Sequence, residues 1–596
     1  MNILQRLRKI EDHKILILGN HGGIIQSILD FDYILGKKTP SVVGIVGVKQ
    51  KNQRYFWGSN EILIPGYLSV GDIDINTSSS VTMFAVAQSG RRVLQACKDV
   101  INLKNCIGGM VFAESVPERH AIELRKISLD ANKFIIGPSS VGMLIGGNFK
   151  LGAIGGTMPE QIIKSRISEP GSVAVISSSG GMINEIIYSI ARLGGMVSFA
   201  IAVGGERFPI MKPVELIKLG IEDINTEQII YFGELGGTDE YDIAEYYRSL
   251  EIKKPIIAYI AGKVAETIKD APQFGHAKSL ANNKSETASA KKKVLKDAGV
   301  IVADSLSDFE NSIKNSIKKY SDRKEQNSLN DIFASRKRRL FIDGVSSDSS
   351  GEVKILNEPL TDFVGNKSLS AIALSMFLGS RPRSNKLIDC FDLSLRLLVD
   401  HGPQVSGVVN TMITARAGKD LTAALATGIL TIGPRFGGAL NEAAGLWFEM
   451  VNNDISPRVF VASMAKKGAN IPGIGHKKYR ADNPDPRIKM ISASIKAEGK
   501  YTKFAKEVER ITTSKKSNLI LNVDGYIAAL MLDIFCDYEN CSPDDIKKII
   551  ESEFFNAIFV YGRTVGLIAH YLEQRRVDDG LFRLPPELIA DYVINK

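Results

Sequence analysis

The chain is 596 residues long, room for about four domains at roughly 150 residues each. Hydrophobic residues make up 44% and charged residues 24%, which excludes a disordered or fibrous chain and leaves apolar material for several cores. Lysine plus arginine minus acids is 75 − 66, a formal charge of +9 that suits an anionic small ligand; no long basic run argues for a nucleic-acid partner.

Five cysteines (Cys97, Cys106, Cys390, Cys536, Cys541) are odd in number and lack CxxC spacing, so neither a disulfide framework nor a metal site is expected. No apolar run approaches the roughly 18–20 residues of a membrane helix, and the opening segment, with Glu11 and Asp12, lacks the apolar stretch of a secretory signal. A cytoplasmic protein with no membrane partner is expected.

Short apolar runs bounded by glycine alternate with helical patterns through about residue 310. KILILG (14–19), SVVGIVGV (41–48), CIGGMVF (106–112), KFIIG (133–137), SVAVIS (172–177), QIIYFGELGG (228–237) and KPIIAYIAG (254–262) read as buried parallel strands. Helix-period residues such as Ile183, Ile186, Ile187 and Ile190 lie between them, so the spacing predicts βαβ units. Two doubly wound sheets are expected, with a break near 165–172. Charge runs and serine–glycine content mark a linker over 319–352, and an all-α region is expected over 353–596.

Three constellations stand out in the first half. Gly19-Asn20-His21-Gly22-Gly23 follows the first strand, where a glycine turn lets backbone N–H groups approach a phosphate; the same turn also serves merely to make a bend. Ser177-Ser178-Ser179-Gly180-Gly181 follows a strand and opens a helix, combining hydroxyls with free N–H groups at the positive end of the helix dipole. A plain serine N-cap explains one of those serines but not the whole run. His276, in a loop between Gly275 and Ala277, is one of only seven histidines, and an imidazole can accept and pass on a phosphoryl group. Glu234, at the end of another strand, is placed to orient its second ring nitrogen.

FAESVPE (112–118), GPSSVG (137–142), ISSSGGM (176–182), GELGGTDE (233–240) and the run 274–300 resemble the α subunit of succinyl-CoA synthetase. The resemblance implies a Rossmann-like CoA-binding domain over 1–165, with Gly19 and Gly22 at the cofactor turn. It also implies a flavodoxin-like CoA-ligase domain over 166–318. There His276 would be the phosphorylated residue, Glu234 and Glu114 would support it, and Ser177, Ser179, Gly180 and Gly181 would cradle the phosphate.

The helical half contains Asp400-His401-Gly402-Pro403, Gly473-Ile474-Gly475-His476 and Asn522-Val523-Asp524-Gly525. Each alone also reads as a helix cap or turn. Together, two histidines and an acid can polarise a carbonyl and move protons at oxygen and carbon. Arg487, Arg563 and Arg583 can clamp carboxylates, although a single arginine also fits an exposed ion pair. DHGPQVSG, IPGIGHKKYRADNPDPR and LNVDG resemble citrate synthase. That resemblance carries the reactive roles to His476 and Asp524, with His476 removing the citryl hydroxyl proton, and places His401 and the three arginines around oxaloacetate or the citryl group. Where that family has a histidine in a GP-x-H-G segment this chain has Phe436, which cannot hydrogen-bond an enolate oxygen.

A succinyl-CoA synthetase α-like half joined to a citrate synthase-like half resembles the ATP-citrate lyase family, an α/β region followed by an all-α module. YFWGSNEILIP (55–65), LTIGPRFGGALNEAA (430–444) and ITTSKKSNLILNVDG (511–525) support it. With neither an ATP-grasp half nor a GxxxxGK[ST] loop, the resemblance implies one chain of the two-subunit type. An ATP-grasp partner would bind ATP and Mg2+, and the C-terminal module would form a homo-oligomer. Citrate and CoA would become acetyl-CoA and oxaloacetate, and Lys515 and Lys516 are candidate CoA phosphate contacts, a solvated basic pair being the competing interpretation. The alternative is a citryl-CoA or succinyl-CoA ligase subunit whose helical module serves assembly alone.

Overall fold

The computed structural model describes residues 3–268, 273, 276–320, 327–348, 351–433 and 439–589. The chain divides into two compact units, Met1–Ile342 and Asp343–Lys596.

The first unit holds two seven-stranded sheets. The first is built from β1 (Ile15–Leu18), β2 (Val42–Val46), β3 (Asn52–Trp57), β4 (Asn60–Tyr67), β5 (Met83–Val86), β6 (Gly108–Val111) and β7 (Phe134–Ile136), in the order β3-β4-β2-β1-β5-β6-β7. The second is built from β8 (Gly142–Ile145), β9 (Phe149–Gly152), β10 (Val173–Ser177), β11 (Val197–Ala202), β12 (Gln228–Glu234), β13 (Ile256–Ala261) and β14 (Ile301–Val302), in the order β14-β13-β12-β10-β11-β8-β9. The inner strands are apolar on both faces and buried on both, as helical crossovers require. Strand order reverses at β1 in one sheet and at β10 in the other, and ligands of such sheets bind beyond the carboxyl ends of the strands at that point.

The sheets do not part at 165–172 as expected. β8 pairs antiparallel with β9 and with β11, so the chain changes sheets between Ile136 and Gly142. These strands are four residues each and buried throughout, so neither alternation nor length marks them in the sequence. The β3–β4 hairpin, closed by the two residues between Trp57 and Asn60, was likewise not expected. One core cluster runs through both sheets, from Ile15 and Ile17 to Ile201 and Ile229.

The expected linker over 319–352 is also corrected. The helix Asn327–Ala334 lays Leu329 and Phe333 against the core of the first unit, and the compact unit extends to Ile342. The second unit opens on a small antiparallel sheet, Ser346–Ser347, Lys354–Ile355 and Glu358–Pro359, before turning helical. Its axis is the helix Val523–Asp537, buried over nearly its whole circumference and packed against Ala439–Asn452 and Lys500–Thr513. Asp533, buried in that helix, accepts the N–H groups of Gly499 (2.8 Å), Tyr501 and Thr502 (2.9 Å each), capping Lys500–Thr513. Among the described residues no helix is long and apolar enough to cross a membrane.

Candidate functional site

In the second sheet, Ser177 stands opposite Ala202 on one side and Phe232 on the other, so the ends of β10, β11 and β12 share one edge. Glu234 closes β12 at that edge. His276 Nδ1 lies 2.9 Å and 3.1 Å from the two Glu234 carboxylate oxygens, and Ser279 Oγ donates to the same carboxylate at 2.6 Å. With Nδ1–H given to the carboxylate, Nε2 is the nitrogen left for a phosphoryl group, and it makes no hydrogen bond to a described residue. The bond to Glu234 raises the His276 pKa against the effect of burial, and the charges of Glu234, Glu114 and Glu206 add to it. Burial works to raise Glu234, but the bonds from His276 and Ser279 and the charges of His276 and Lys278 together hold it below the ordinary carboxylate range.

Three members of this group were not expected. A Cβ at Gly205 would lie 2.3 Å from His276 Cγ, so only glycine lets the ring lie there. Glu206 accepts Ser115 N–H and Ser139 Oγ–H at 2.9 Å each, and Ser279 anchors Glu234. The signal was available: Gly204-Gly205-Glu206 lies just beyond the end of β11, and Gly233-Glu234 ends the nearby strand β12. Glu114, which was expected, is exposed and reaches His276 through charge rather than a bond. Buried Lys291 fixes the turn behind the site, donating to the carbonyls of Glu234 (2.8 Å) and Gly236 (2.6 Å) and pairing with Glu240.

In the serine turn, Ser177 Oγ donates to Ser179 O at 2.8 Å and accepts Ser179 N–H at 3.0 Å. Ser179 caps the helix Gly180–Arg192 through Met182 N–H. Both hydroxyls therefore shape the turn, and the donors facing outward are the first backbone N–H groups of the helix. A Cβ at Gly181 would meet nothing within 4 Å, so the space before this helix end is open.

At the switch point of the first sheet, Gly19 has φ +100° and sits where a Cβ would lie 2.4 Å from Ala87 O. His21 caps the helix Gly22–Ile34 by accepting Ile24 N–H at 3.2 Å. Beside Gly22 opens a cavity of about 700 Å3 lined by Asn20, Lys51, Arg54, Tyr55 and Arg338 among others.

In the second unit, a glycine pair assembles the site. A Cβ on Gly473 would lie 2.7 Å from Gly525 Cα, so two glycines are needed for the loop before His476 to touch the first turn of Val523–Asp537, which carries Asp524. Asn522 N–H donates to Gly473 O at 2.9 Å, Asn522 Nδ2 to Gly475 O at 3.1 Å, and His476 N–H to Asn518 O at 3.0 Å. Burial raises the Asp524 pKa, Arg487 and Arg563 oppose this, and Asp485 adds to it. His401 is lowered by burial and then by Arg563, Arg487 and His476. His401, His476, Asp524, Arg487 and Arg563 thus form one electrostatic cluster.

Asp485, unexpected, holds Arg487 by a bidentate pair and caps its helix. Arg563 is 3% exposed and, among the described residues, its Nε and one terminal nitrogen have no hydrogen-bond partner, the signature of a carboxylate site. His570, also unexpected, lies two turns further along the same helix and pairs with Asp400 at 3.2 Å.

His476 Nδ1 accepts the backbone N–H groups of Lys478 and Tyr479, both at 3.0 Å, so the neutral ring carries its proton on Nε2. Burial first, then Arg487 and Lys478, lower its pKa against the charge of Asp485, and this lowering favours the neutral ring. The expected role of His476 as a base does not fit this tautomer: Nε2–H is a donor. Arg583 is exposed and makes no bond to a member of the cluster, and Lys515 and Lys516 are exposed beyond Lys500–Thr513 with no side-chain bond to a described residue. Phe436 lies outside the described residues.

Family models match twice: CoA-ligase over residues 176–301, and citrate synthase, C-terminal domain, over 304–584. A probable ATP-citrate synthase subunit 1 of Neurospora crassa is 35% identical over 94% of this chain and 86% of its own. A probable ATP-citrate synthase of Caenorhabditis elegans is 34% identical over 96% of this chain, which spans about half (54%) of that protein's length. ATP citrate lyase from Methanothrix soehngenii, solved with citrate and coenzyme A, is 31% identical, aligns over 98% of both chains and has a TM-score of 0.51.

Proposed function

Because the chain belongs to the ATP-citrate synthase family, we propose that it is the subunit of an ATP-citrate lyase that carries both the phosphohistidine and the citryl-CoA cleavage chemistry. The observation that carries this is the coexistence of the His276–Glu234 pair at the switch point of one unit with the His401, His476, Asp524, Arg487 and Arg563 cluster of the other. A partner subunit, named for its relatives only by their "subunit 1", supplies ATP and Mg2+ and has an ATP-grasp fold; the C-terminal unit forms the homo-oligomer, and the assembly works in the cytoplasm.

The γ-phosphoryl group of ATP passes to His276 Nε2, forming the P–N bond as the bond to the bridging oxygen breaks and ADP leaves, while Glu234 holds Nδ1–H and stabilises the charged ring. The helix start at Gly180 and Gly181, open beside Gly181, receives the phosphoryl oxygens. Transfer to a citrate carboxylate gives citryl phosphate; attack of the CoA sulfur on the acyl carbon then expels phosphate and forms citryl-CoA. In the second unit Arg563 and Arg487 hold carboxylates. His476 Nε2–H hydrogen-bonds the citryl hydroxyl oxygen. His401, whose pKa burial and then Arg563 and Arg487 lower and whose ring makes no hydrogen bond to a described residue, removes its proton as the carbon–carbon bond breaks and the ketone of oxaloacetate forms. Asp524, whose pKa burial raises, delivers a proton from its acid form to the enolate carbon and releases acetyl-CoA.

The test is oxaloacetate release from citryl-CoA by this chain without ATP. Release abolished by Asp524→Ala and retained by His276→Ala supports the reading; loss in both variants overturns the division of labour between the units.

A further inference from the structure

The stretch 335–342 is bound to the first unit at two points. Arg336 pairs with Asp30, donates Nε–H to Gly58 O at 2.9 Å, and lies 5.3 Å and 4.7 Å from the ring centres of Phe56 and Phe333. Arg339 N–H donates to Glu61 Oε2 at 2.8 Å, and its carbonyl accepts from Arg54 at 2.5 Å. Between these anchors the chain has no freedom to swing away, and Arg338 is thereby held on the wall of the 700 Å3 cavity beside the Gly22 turn. Arg54, on the same wall, is already committed to Glu61 and the Arg339 carbonyl. Arg338 is exposed and makes no hydrogen bond or ion pair with a described residue, although its charge reaches the Tyr55 hydroxyl and the Glu61 carboxylate, whose hydrogen bonds come instead from Arg54 and the Arg339 N–H. An anchored strap that presents one unpaired guanidinium to a cavity at a strand-end switch point is built for an anion.

We propose that residues 335–342 form one wall of the CoA site and that Arg338 binds a phosphate group of CoA. The inference rests on the proposed function, which makes CoA a substrate of this chain. CoA carries a pyrophosphate and a 3′-phosphate, either of which matches the planar fork of arginine.

The test compares the wild-type chain with Arg338→Gln and Arg338→Lys, each with its partner subunit, by equilibrium binding of CoA and of 3′-dephospho-CoA. Phosphorylation of His276 from ATP, which precedes CoA, is the control and stays at the wild-type rate. Arg338→Gln should raise the Kd for CoA about tenfold at low salt, and Arg338→Lys should recover part of that loss. Weakening confined to CoA assigns Arg338 to the 3′-phosphate, and equal weakening of both ligands assigns it to the pyrophosphate; either supports the proposal. An unchanged Kd for CoA in Arg338→Gln overturns it, whereas a wild-type chain that is phosphorylated but binds no CoA overturns the CoA role itself.

Discussion

Replacing Gly525 with alanine isolates the contact that joins His476 to Asp524. The new Cβ would lie 2.5 Å from Gly473 O, 2.7 Å from its Cα and 2.9 Å from its carbonyl carbon. All three are backbone atoms and cannot rotate aside. Restoring an ordinary contact of 3.4 Å to the oxygen requires 3.4 − 2.5, roughly 0.9 Å of separation between the loop and the helix start. The Asn522 N–H bond to Gly473 O, 2.9 Å long, must stretch with it. A displacement of about 1 Å between reacting groups costs on the order of 100-fold in rate. Helix propensity acts in the opposite direction, favouring alanine over glycine by up to about 1 kcal/mol. Oxaloacetate release from citryl-CoA should therefore fall about 100-fold, while phosphorylation of His276 in the other unit is unaffected. Release within about twofold of wild type, together with a raised Tm, would mean that propensity outweighs the steric clash and that the glycine pair does not set the site.

Glu234→Gln removes the largest cause of the raised His276 pKa. The neutral ring then persists to lower pH, so the acid limb of the phosphorylation rate should move to lower pH while the maximal rate drops, by about 10- to 100-fold, as the charged ring loses its partner. A raised folded-state pKa stabilises the fold below the unfolded value, and that contribution disappears as pH rises through the folded value. The variant should therefore lose more Tm at about pH 5.5 than at about pH 9, and an equal loss at both refutes the pairing. Arg563→Gln relieves a buried, partly unpartnered charge, so the unliganded chain should hold or raise its Tm. Its stabilisation by oxaloacetate in a thermal shift should fall with an affinity loss of about 2 kcal/mol; a lowered Tm with intact ligand response would contradict the carboxylate role.

The strands at 15–18, 173–177 and 228–234 were legible because strands buried on both faces read as nearly continuous apolar runs closed by glycine, serine or glutamate. The β8–β9 hairpin was not, because its residues 142–152 set four glycines among two four-residue strands, and the other partner of β8, β11, lies some fifty residues away. His276 and Glu234 were legible as chemistry at strand ends, and the structure brings them together. Glu206 and Asp485 were passed over because their significance lies in what they hold, the 115–139 backbone and Arg487, and such pairings have no local sequence mark. Arg583 shows the converse: residue type alone does not place a guanidinium, and here it faces solvent. The tautomer of His476 depends on two amides of the following turn, a detail that only the backbone path reveals.

The β8–β9 hairpin makes covalent order and cooperative order differ. Residues 142–152 are contiguous with the first sheet in sequence yet supply the last two strands at one side of the second, and Lys150 on β9 donates back to Ser27 in the helix Gly22–Ile34, which follows β1. A backbone break near residue 166 would leave each fragment missing part of its own hydrophobic interior, with the amino-terminal piece holding a hairpin whose second sheet neighbour, β11, lies in the carboxyl-terminal piece. The two fragments would be mutually complementing rather than independent. Recombination that exchanged one sheet for a homologue's at that point would inherit a mismatched seam, while an exchange at the Gly137-Pro138 bend would carry every strand with its sheet.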